Sequence, residues 1–125
     1  MADPERKARV LTGRHGEAEA VACVTARGYD VVRRNWRLAG GEADVVGVRL
    51  GTDGAREGVL VEVKATRVDQ GALAERLGSA QRARLWVMAA QAAQWLDVER
   101  MGVVLVLVVV GSAGSRVRWV ELEPF

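Results

Sequence analysis

Apolar positions along this chain recur with two different periods, and these separate the predicted helices from the predicted strands. A period near 3.6 residues covers residues 14–27, where Gly28 offers a left-handed cap, and residues 79–96, where Ser79 is a candidate N-cap. Alternating or continuously apolar segments predict five strands, at residues 29–37, 42–50, 59–66, 103–110 and 116–122. The predicted order is αβββαβ followed by one further strand.

Turn residues separate these elements. The stretch Ala39-Gly40-Gly41 joins the first two strands into a hairpin, and residues 51–58 form a loop before the third strand. The strand at 103–110 is apolar throughout, as expected when both of its faces are covered. We therefore predict an α/β fold with a mixed central sheet flanked by helices. A chain of 125 residues has room for one such domain, spanning residues 1–125.

Composition narrows the class of protein. Half of the residues are hydrophobic and 27% are charged, which is typical of a folded chain and not of a disordered one. The first residues lack the apolar core of a signal peptide, and the run at 103–110 is too short to cross a bilayer, so we expect a cytoplasmic protein. The single cysteine, Cys23, excludes an internal disulfide and a thiolate cluster. A net charge of +2 decides nothing about polyanionic partners.

Carboxylates carry the candidate chemistry. Asp44 and Glu62 lie on adjacent predicted strands that can pair as a hairpin, and Glu17 lies on the helix stripe that should face the sheet. Carboxylates brought together repel one another unless a cation lies between them, and hard oxygen ligands suit Mg²⁺ or Mn²⁺ acting on a phosphodiester. Lys64 is one of two lysines beside 16 arginines, and its place two residues after Glu62 indicates a need for a compact ammonium group.

Each of these residues also has a structural interpretation. Glu62 and Lys64 could form the solvated side of an amphipathic strand. Glu17 could be neutralised by an arginine such as Arg37 in a buried ion pair. The three tryptophans Trp86, Trp95 and Trp119 are expected to be core or interface anchors.

Cations and an aromatic residue are interleaved in the segment Arg33-Arg34-Asn35-Trp36-Arg37. This composition suits contact with phosphates together with stacking on a base or sugar, but charged residues also protect edge strands from aggregation. The same two interpretations apply to Arg67, Arg82 and Arg84. The sequence has no helix-turn-helix or zinc-finger spacing, so we expect recognition of backbone and shape and not of base edges.

Three ordered motifs resemble the YraN-like family of predicted endonucleases, which belongs to the PD-(D/E)xK superfamily and is similar to Holliday-junction resolvases. They are Gly13-Arg14-His15-Gly16-Glu17, then Arg34-Asn35-Trp36-Arg37 with Gly41-Glu42-Ala43-Asp44, and finally Val61-Glu62-Val63-Lys64-Ala65-Thr66-Arg67. The resemblance implies a restriction-endonuclease-like core. One departure is Gln81, which stands where the family leads us to expect a lysine.

The resemblance also implies a role for each residue. Asp44, Glu62 and the main-chain carbonyl of Val63 would ligate Mg²⁺ or Mn²⁺, with Glu17 completing the cluster directly or through water, and Lys64 would orient or activate the attacking water. Glu42 and Gln81 would lie beside the ligands. The implied substrate is DNA, with branched or damaged DNA as the candidate form, and the implied products carry 5′-phosphates. Because related resolvases are dimers, a homodimer is a further hypothesis.

Three hypotheses about function therefore follow from the sequence. The first is a metal-dependent endonuclease. The second is a non-catalytic nucleic-acid-binding module that keeps the nuclease fold, which the replacement by Gln81 favours. The third is a small α/β interaction scaffold whose charges are only solvated.

Overall fold

The computed structural model describes residues 16–67 and 77–124, and these contain two helices and five strands. Helix α1 covers residues 16–26 and ends before Gly28, whose φ of +88° is the left-handed conformation expected of a helix cap. The other elements follow in chain order: β1 (Asp30–Leu38), β2 (Gly41–Leu50), β3 (Arg56–Arg67), α2 (Ser79–Leu96), β4 (Arg100–Gly111) and β5 (Gly114–Glu121). The αβββαβ order with one added strand is confirmed.

The strands form one mixed sheet in the order β1-β2-β3-β4-β5. Only β3 and β4 are parallel, and the segment that connects them contains α2, as a crossover between parallel strands requires. The other three neighbouring pairs are antiparallel. Strand β1 is therefore an edge strand, and β3 lies at the centre of the sheet.

Alternating residues of the central strands fill two cores on opposite faces of the sheet. On one face Leu60 and Leu105 pack with Leu85 and Met88 of α2, and we call this the α2 core. On the other face a set of valines packs against Ala20 and Val24 of α1, and we call this the α1 core. The α/β fold with a mixed sheet flanked by helices is thus confirmed. No helix in the described ranges is long and apolar enough to span a membrane.

Most differences from the sequence prediction lie at element ends. Strand β3 begins at Arg56 and not at residue 59, because Leu50 pairs with Arg56 across the hairpin and the polar residues between remain in the ladder. The prediction of Ser79 as N-cap was wrong: Ser79 is already helical, Gly78 is the extended cap residue, and no side chain caps the helix. The predicted start of α1 at residue 14 and His15 lie outside the described residues.

Candidate functional site

The candidate site lies where β2 and β3 separate. Their backbone ladder ends at the pair Val45 and Val61. Asp44 lies one residue before Val45, nearer the start of β2. Its Oδ2 accepts a hydrogen bond of 2.7 Å from the Val63 amide, so a side-chain hydrogen bond takes the place of the backbone ladder at this point. Ala43 packs in the α2 core whereas Val45 packs in the α1 core, which means that strand alternation is interrupted at Asp44. Asp44 is therefore fixed between the two strands and not on one face of the sheet.

Burial and the charges of neighbouring carboxylates change the acidity of Asp44. Burial raises the pKa of Asp44 to about 6, the hydrogen bond from Val63 opposes the rise, and the charges of Glu62, Glu17 and Glu42 add to it. Four carboxylates are thus close enough to interact electrostatically, although they come from three different elements.

Glu62 and Lys64 extend from the same face of β3 as Leu60, because side chains two residues apart share a face. Glu62 is 12% exposed, and its Oε1 lies 3.5 Å from Lys64 Nζ. The backbone under both residues is held by parallel pairing with Leu105 and Leu107 of β4. A largely buried carboxylate therefore stands beside a more accessible ammonium group on a rigid central strand.

Helix α1 brings Glu17 to the cluster through a close approach at Gly16. Any Cβ at position 16 would lie 3.1 Å from Ala65 Cβ and 3.3 Å from Val63 Cγ1, so a glycine lets the helix start rest directly on β3. Glu17 Oε1 accepts three hydrogen bonds: from Arg34 Nε at 3.3 Å, Arg34 Nη2 at 3.1 Å and Asn35 Nδ2 at 3.0 Å. One oxygen of Glu17 is thus fixed by strand β1.

A left-handed residue explains how two consecutive side chains reach one oxygen. Neighbouring residues of a regular strand point to opposite faces, but Asn35 has a φ of +49°, and the register of β1 also shifts between Val31 and Arg33. Asparagine is one of the few residues that tolerate this conformation. The ion-pair alternative for Glu17 is thus present with Arg34 and not with Arg37, because the distortion turns Arg34 and Asn35 together toward α1.

The oxygen atoms of the cluster meet some but not all of the requirements of a divalent-cation site. Asp44 and Glu62 are half-buried or better, belong to the two rigid strands and offer hard oxygen donors, and burial together with neighbouring carboxylates raises the pKa of Asp44. Among residues 16–67 and 77–124, however, no three His, Cys, Asp or Glu side chains are arranged as a metal-binding set. Glu17 would have to use its other oxygen or change rotamer to join such a set.

The remaining predicted residues have mixed positions. Glu42 is exposed near the start of β2, and Gln81 is half-buried in the first turn of α2. Arg84 Nη1 donates to the Gly40 carbonyl at 3.2 Å and so holds the β1–β2 turn against α2. Trp36 packs against the α2 core, with the Arg33 guanidinium 5.5 Å from its ring centroid. Three other arginines in this set differ in exposure: Arg37 and Arg67 are exposed and Arg82 is half-buried.

The three tryptophans that we expect to be core or interface anchors differ in burial. Trp86 and Trp119 pack against the two cores as expected, but Trp95 is 78% exposed near the end of α2. It borders a groove that was not predicted from the sequence, because the other wall belongs to the β1–β2 turn.

A mixed sheet with a helix on each face and an acidic cluster where β2 and β3 separate defines a restriction-endonuclease-like α/β core. The chain belongs to "Uncharacterised protein family UPF0102", whose model matches residues 16–106. This is the YraN family, so the resemblance found in the sequence is confirmed. The matched range contains Glu17, Asp44, Glu62 and Lys64.

Curated relatives agree with this assignment. The chain is 40% identical over 82 residues to a UPF0102 protein of Roseiflexus castenholzii, covering 65% of this chain and 62% of the relative. It is 44% identical over 80 residues to one of Pseudarthrobacter chlorophenolicus, covering 63% and 57%, and 40% identical over 92 residues to one of Chloroflexus aurantiacus, covering 71% and 65%. The alignments thus span about three fifths of the length of these relatives.

Proposed function

We propose that this protein is a Mg²⁺- or Mn²⁺-dependent endonuclease that hydrolyses DNA phosphodiesters. The observation that carries the proposal is the position of Asp44, which is fixed by the Val63 amide between two strands and crowded by three other carboxylates. Burial raises the pKa of this aspartate, and the charge of Glu62, which pairs with Lys64, adds to the rise. Such perturbed groups cluster at functional sites.

In this proposal Asp44, Glu62 and the main-chain carbonyl of Val63 would hold the divalent ion, and Glu17 would contact it directly or through water. A bound ion would supply charge stabilisation for the phosphoryl oxygens. Lys64, with its ammonium 3.5 Å from Glu62, orients the attacking water and lowers the cost of its deprotonation. The water oxygen forms a bond to phosphorus and releases a proton to solvent, the bond from phosphorus to O3′ breaks, and O3′ takes up a proton from solvent. The products carry a 3′-hydroxyl and a 5′-phosphate.

The proposed substrate contacts lie beside the cluster. Arg34 is 52% exposed on the edge strand β1 even while it donates to Glu17, so it can meet a phosphate at the same position. Contacts of this kind read backbone and shape, which suits branched or damaged DNA better than a fixed base sequence. Cutting both arms of a branch would further suit a homodimer.

The test is incubation with duplex, single-stranded and four-way-junction DNA in Mn²⁺, comparing the parent with Asp44→Ala and Lys64→Ala. We expect cleavage by the parent and loss of cleavage in both variants. Asp53→Ala, which removes an exposed acid in the loop before β3, is the matched control and should cleave normally. Cleavage that survives both site substitutions would assign the activity to a contaminant or to another site.

A second candidate is a nucleic-acid-binding module without catalysis. It is favoured by the engagement of Glu17 Oε1 with Arg34 and Asn35 and by the residue Gln81 in the first turn of α2. This candidate predicts that the protein binds branched DNA with unchanged affinity in Asp44→Ala and never cleaves it in Mg²⁺ or Mn²⁺. Turnover by the parent would exclude it.

A further inference from the structure

A groove of about 360 Å³ lies between the β1–β2 turn and the second half of α2. Six residues line it: Arg37, Leu38, Ala39, Gln91, Gln94 and Trp95. Its volume is at the lower end of the range of roughly 300–1,000 Å³ that is usual for ligand sites. The groove is separate from the acidic cluster, and neither the family assignment nor the proposed catalytic residues explain it.

The exposed indole is the first sign of a ligand. Trp95 is 78% exposed, which is unusual for a residue that normally buries most of its large apolar surface. Among the described residues, the other exposed large apolar side chains, Leu50 and Val87, do not line the groove. The indole shares the groove with Leu38 and Ala39 and with polar side chains, so the lining offers an aromatic face beside hydrogen-bonding groups, as a planar ligand that carries polar atoms requires.

Hydrogen-bond donors surround this ring. Gln91 Oε1 already accepts a bond of 3.0 Å from the Ala39 amide, so the part of this side chain left for a ligand is its N–H₂ group. The Arg37 side chain is exposed and makes no ion pair or hydrogen bond with another residue in the described ranges. A groove that offers hydrogen-bond donors and one cation is complementary to the acceptor atoms of a phosphate and a base. A second copy of the same surface would instead place one Arg37 side chain against another.

Strand β1 connects the groove with the acidic cluster. Arg34, which contacts Glu17, and Arg37, which lines the groove, are three residues apart on one edge strand, a distance of about 10 Å at the rise of a β-strand. Arg34 is turned toward α1 whereas the groove lies against α2, so a nucleic-acid backbone that meets Arg34 would pass around the edge strand to reach Arg37.

We propose that this groove binds an unpaired nucleotide of single-stranded DNA next to the cleavage site, with its base stacked on Trp95 and its phosphate at Arg37. The proposal rests on the proposed nuclease function for its substrate class. It gives the protein a preference for DNA with a flap, gap or branch, because only an unpaired base can reach the indole face.

The test measures binding of dye-labelled oligodeoxythymidylate by fluorescence anisotropy in EDTA, so that binding is read without cleavage. We expect Trp95→Ala to weaken binding roughly 5- to 100-fold, and Trp95→Phe to keep most of the affinity because it retains an aromatic face. Arg37→Ala should reduce the slope of log affinity against log salt by about 0.7. Val87→Ala, an exposed position on the same helix outside the groove, is the control and should bind as the parent does.

Several results would overturn the inference. Trp95→Ala that binds the oligonucleotide as tightly as the parent would do so. A change in the oligomeric state of that variant on size-exclusion chromatography, with binding unchanged, would also do so, since the face would then join two copies of the chain. Cleavage of a four-way junction by the same parent preparation shows whether the nuclease proposal stands independently. If the parent binds no oligonucleotide, the groove proposal fails whether or not the junction is cleaved. Cleavage of the junction together with parental binding by Trp95→Ala removes the groove proposal alone and leaves the nuclease proposal standing.

Discussion

The two ends of the β2–β3 hairpin use the same residue types in opposite ways. Near the start of β3, Glu57 Oε1 accepts from Arg49 at 2.9 Å and Oε2 from Arg100 at 3.0 Å, and Arg100 also pairs with Asp53 at 2.9 Å. Hydrogen bonds from these arginines hold the pKa values of Glu57 and Asp53 below their usual range. Five residues along the same strand, Glu62 lies in a cluster where the pKa of an acid is raised.

One end of the hairpin is stabilised by ion pairs, and the other end carries the proposed catalytic cluster. At the first end each acid has an arginine partner and remains charged, so the end resembles an ordinary surface ion-pair network. At the second end Asp44 loses hydration and gains carboxylate neighbours, an arrangement that costs folding free energy unless a ligand is present. Proteins commonly tolerate such a cost only where function requires it.

The largest expected difference between the two ends appears when one glutamate at each end is replaced by glutamine. Glu62→Gln should lower DNA cleavage in Mn²⁺ by roughly 10²–10³-fold or more, because it removes a proposed metal ligand and the partner of Lys64. Glu57→Gln changes the same residue type on the same strand and should leave the rate within a few fold. Initial rates on a four-way junction measure both. Equal losses in the two variants would contradict the functional distinction between the ends.

The second largest effect is the change in stability on adding Mn²⁺, which should depend on Glu62 and not on Glu57. Saturating Mn²⁺ should stabilise the parent by about 2–3 kcal/mol, which corresponds to roughly a hundredfold excess of ligand over its dissociation constant. The rise in melting temperature should vanish in Glu62→Gln and persist in Glu57→Gln, and a thermal melt with and without MnCl₂ measures it. A shift that is the same in all three proteins would place the ion elsewhere.

The raised pKa of Asp44 also predicts an unusual dependence of stability on pH. Its pKa is about 6 in the folded chain against an ordinary 3.8, so between these values the folded state holds a proton that the unfolded state has released. Stability therefore falls as pH rises through this window, and the whole penalty, at most about 3 kcal/mol, is present above pH 6. Asp44→Asn keeps an oxygen for the Val63 amide and should be more stable than the parent by roughly 1–3 kcal/mol at pH 7, with the gain disappearing near pH 4.

Urea unfolding between pH 4 and 8 measures this difference. Asp53→Asn is the control from the other end, where the pKa is lowered and the folded state prefers the charged acid, so this variant should show no gain in stability at pH 7. A parent whose stability rises steadily from pH 4 to pH 7 relative to Asp44→Asn would contradict the crowding of charge at this site.

The sequence predicted the parts of this site that depend on periodicity and missed those that depend on distortion. Alternation placed Glu62 and Lys64 on one face, and the 18-residue separation let Asp44 reach the same end of the hairpin. The left-handed Asn35 and the turning of Arg34 toward Glu17 were not predicted, because a single strand pattern assumes regular alternation. The groove at Trp95 depends on how α2 packs beside the β1–β2 turn, and that is a tertiary property.

The smallest expected effect concerns Asn35, whose backbone and side chain can be tested apart. Asn35→Gly accepts a φ of +49° without strain and loses only the hydrogen bond to Glu17, whereas Asn35→Ala loses the bond and adds a left-handed alanine. The alanine variant should therefore be less stable than the glycine variant by about 1 kcal/mol, measured by urea unfolding. Both variants should share any change in Mn²⁺ affinity, because both leave Glu17 held by Arg34 alone. Equal stability of the two variants would mean that β1 relaxes to a regular strand, and the distortion would then be imposed by the Asn35 side chain rather than by the fold.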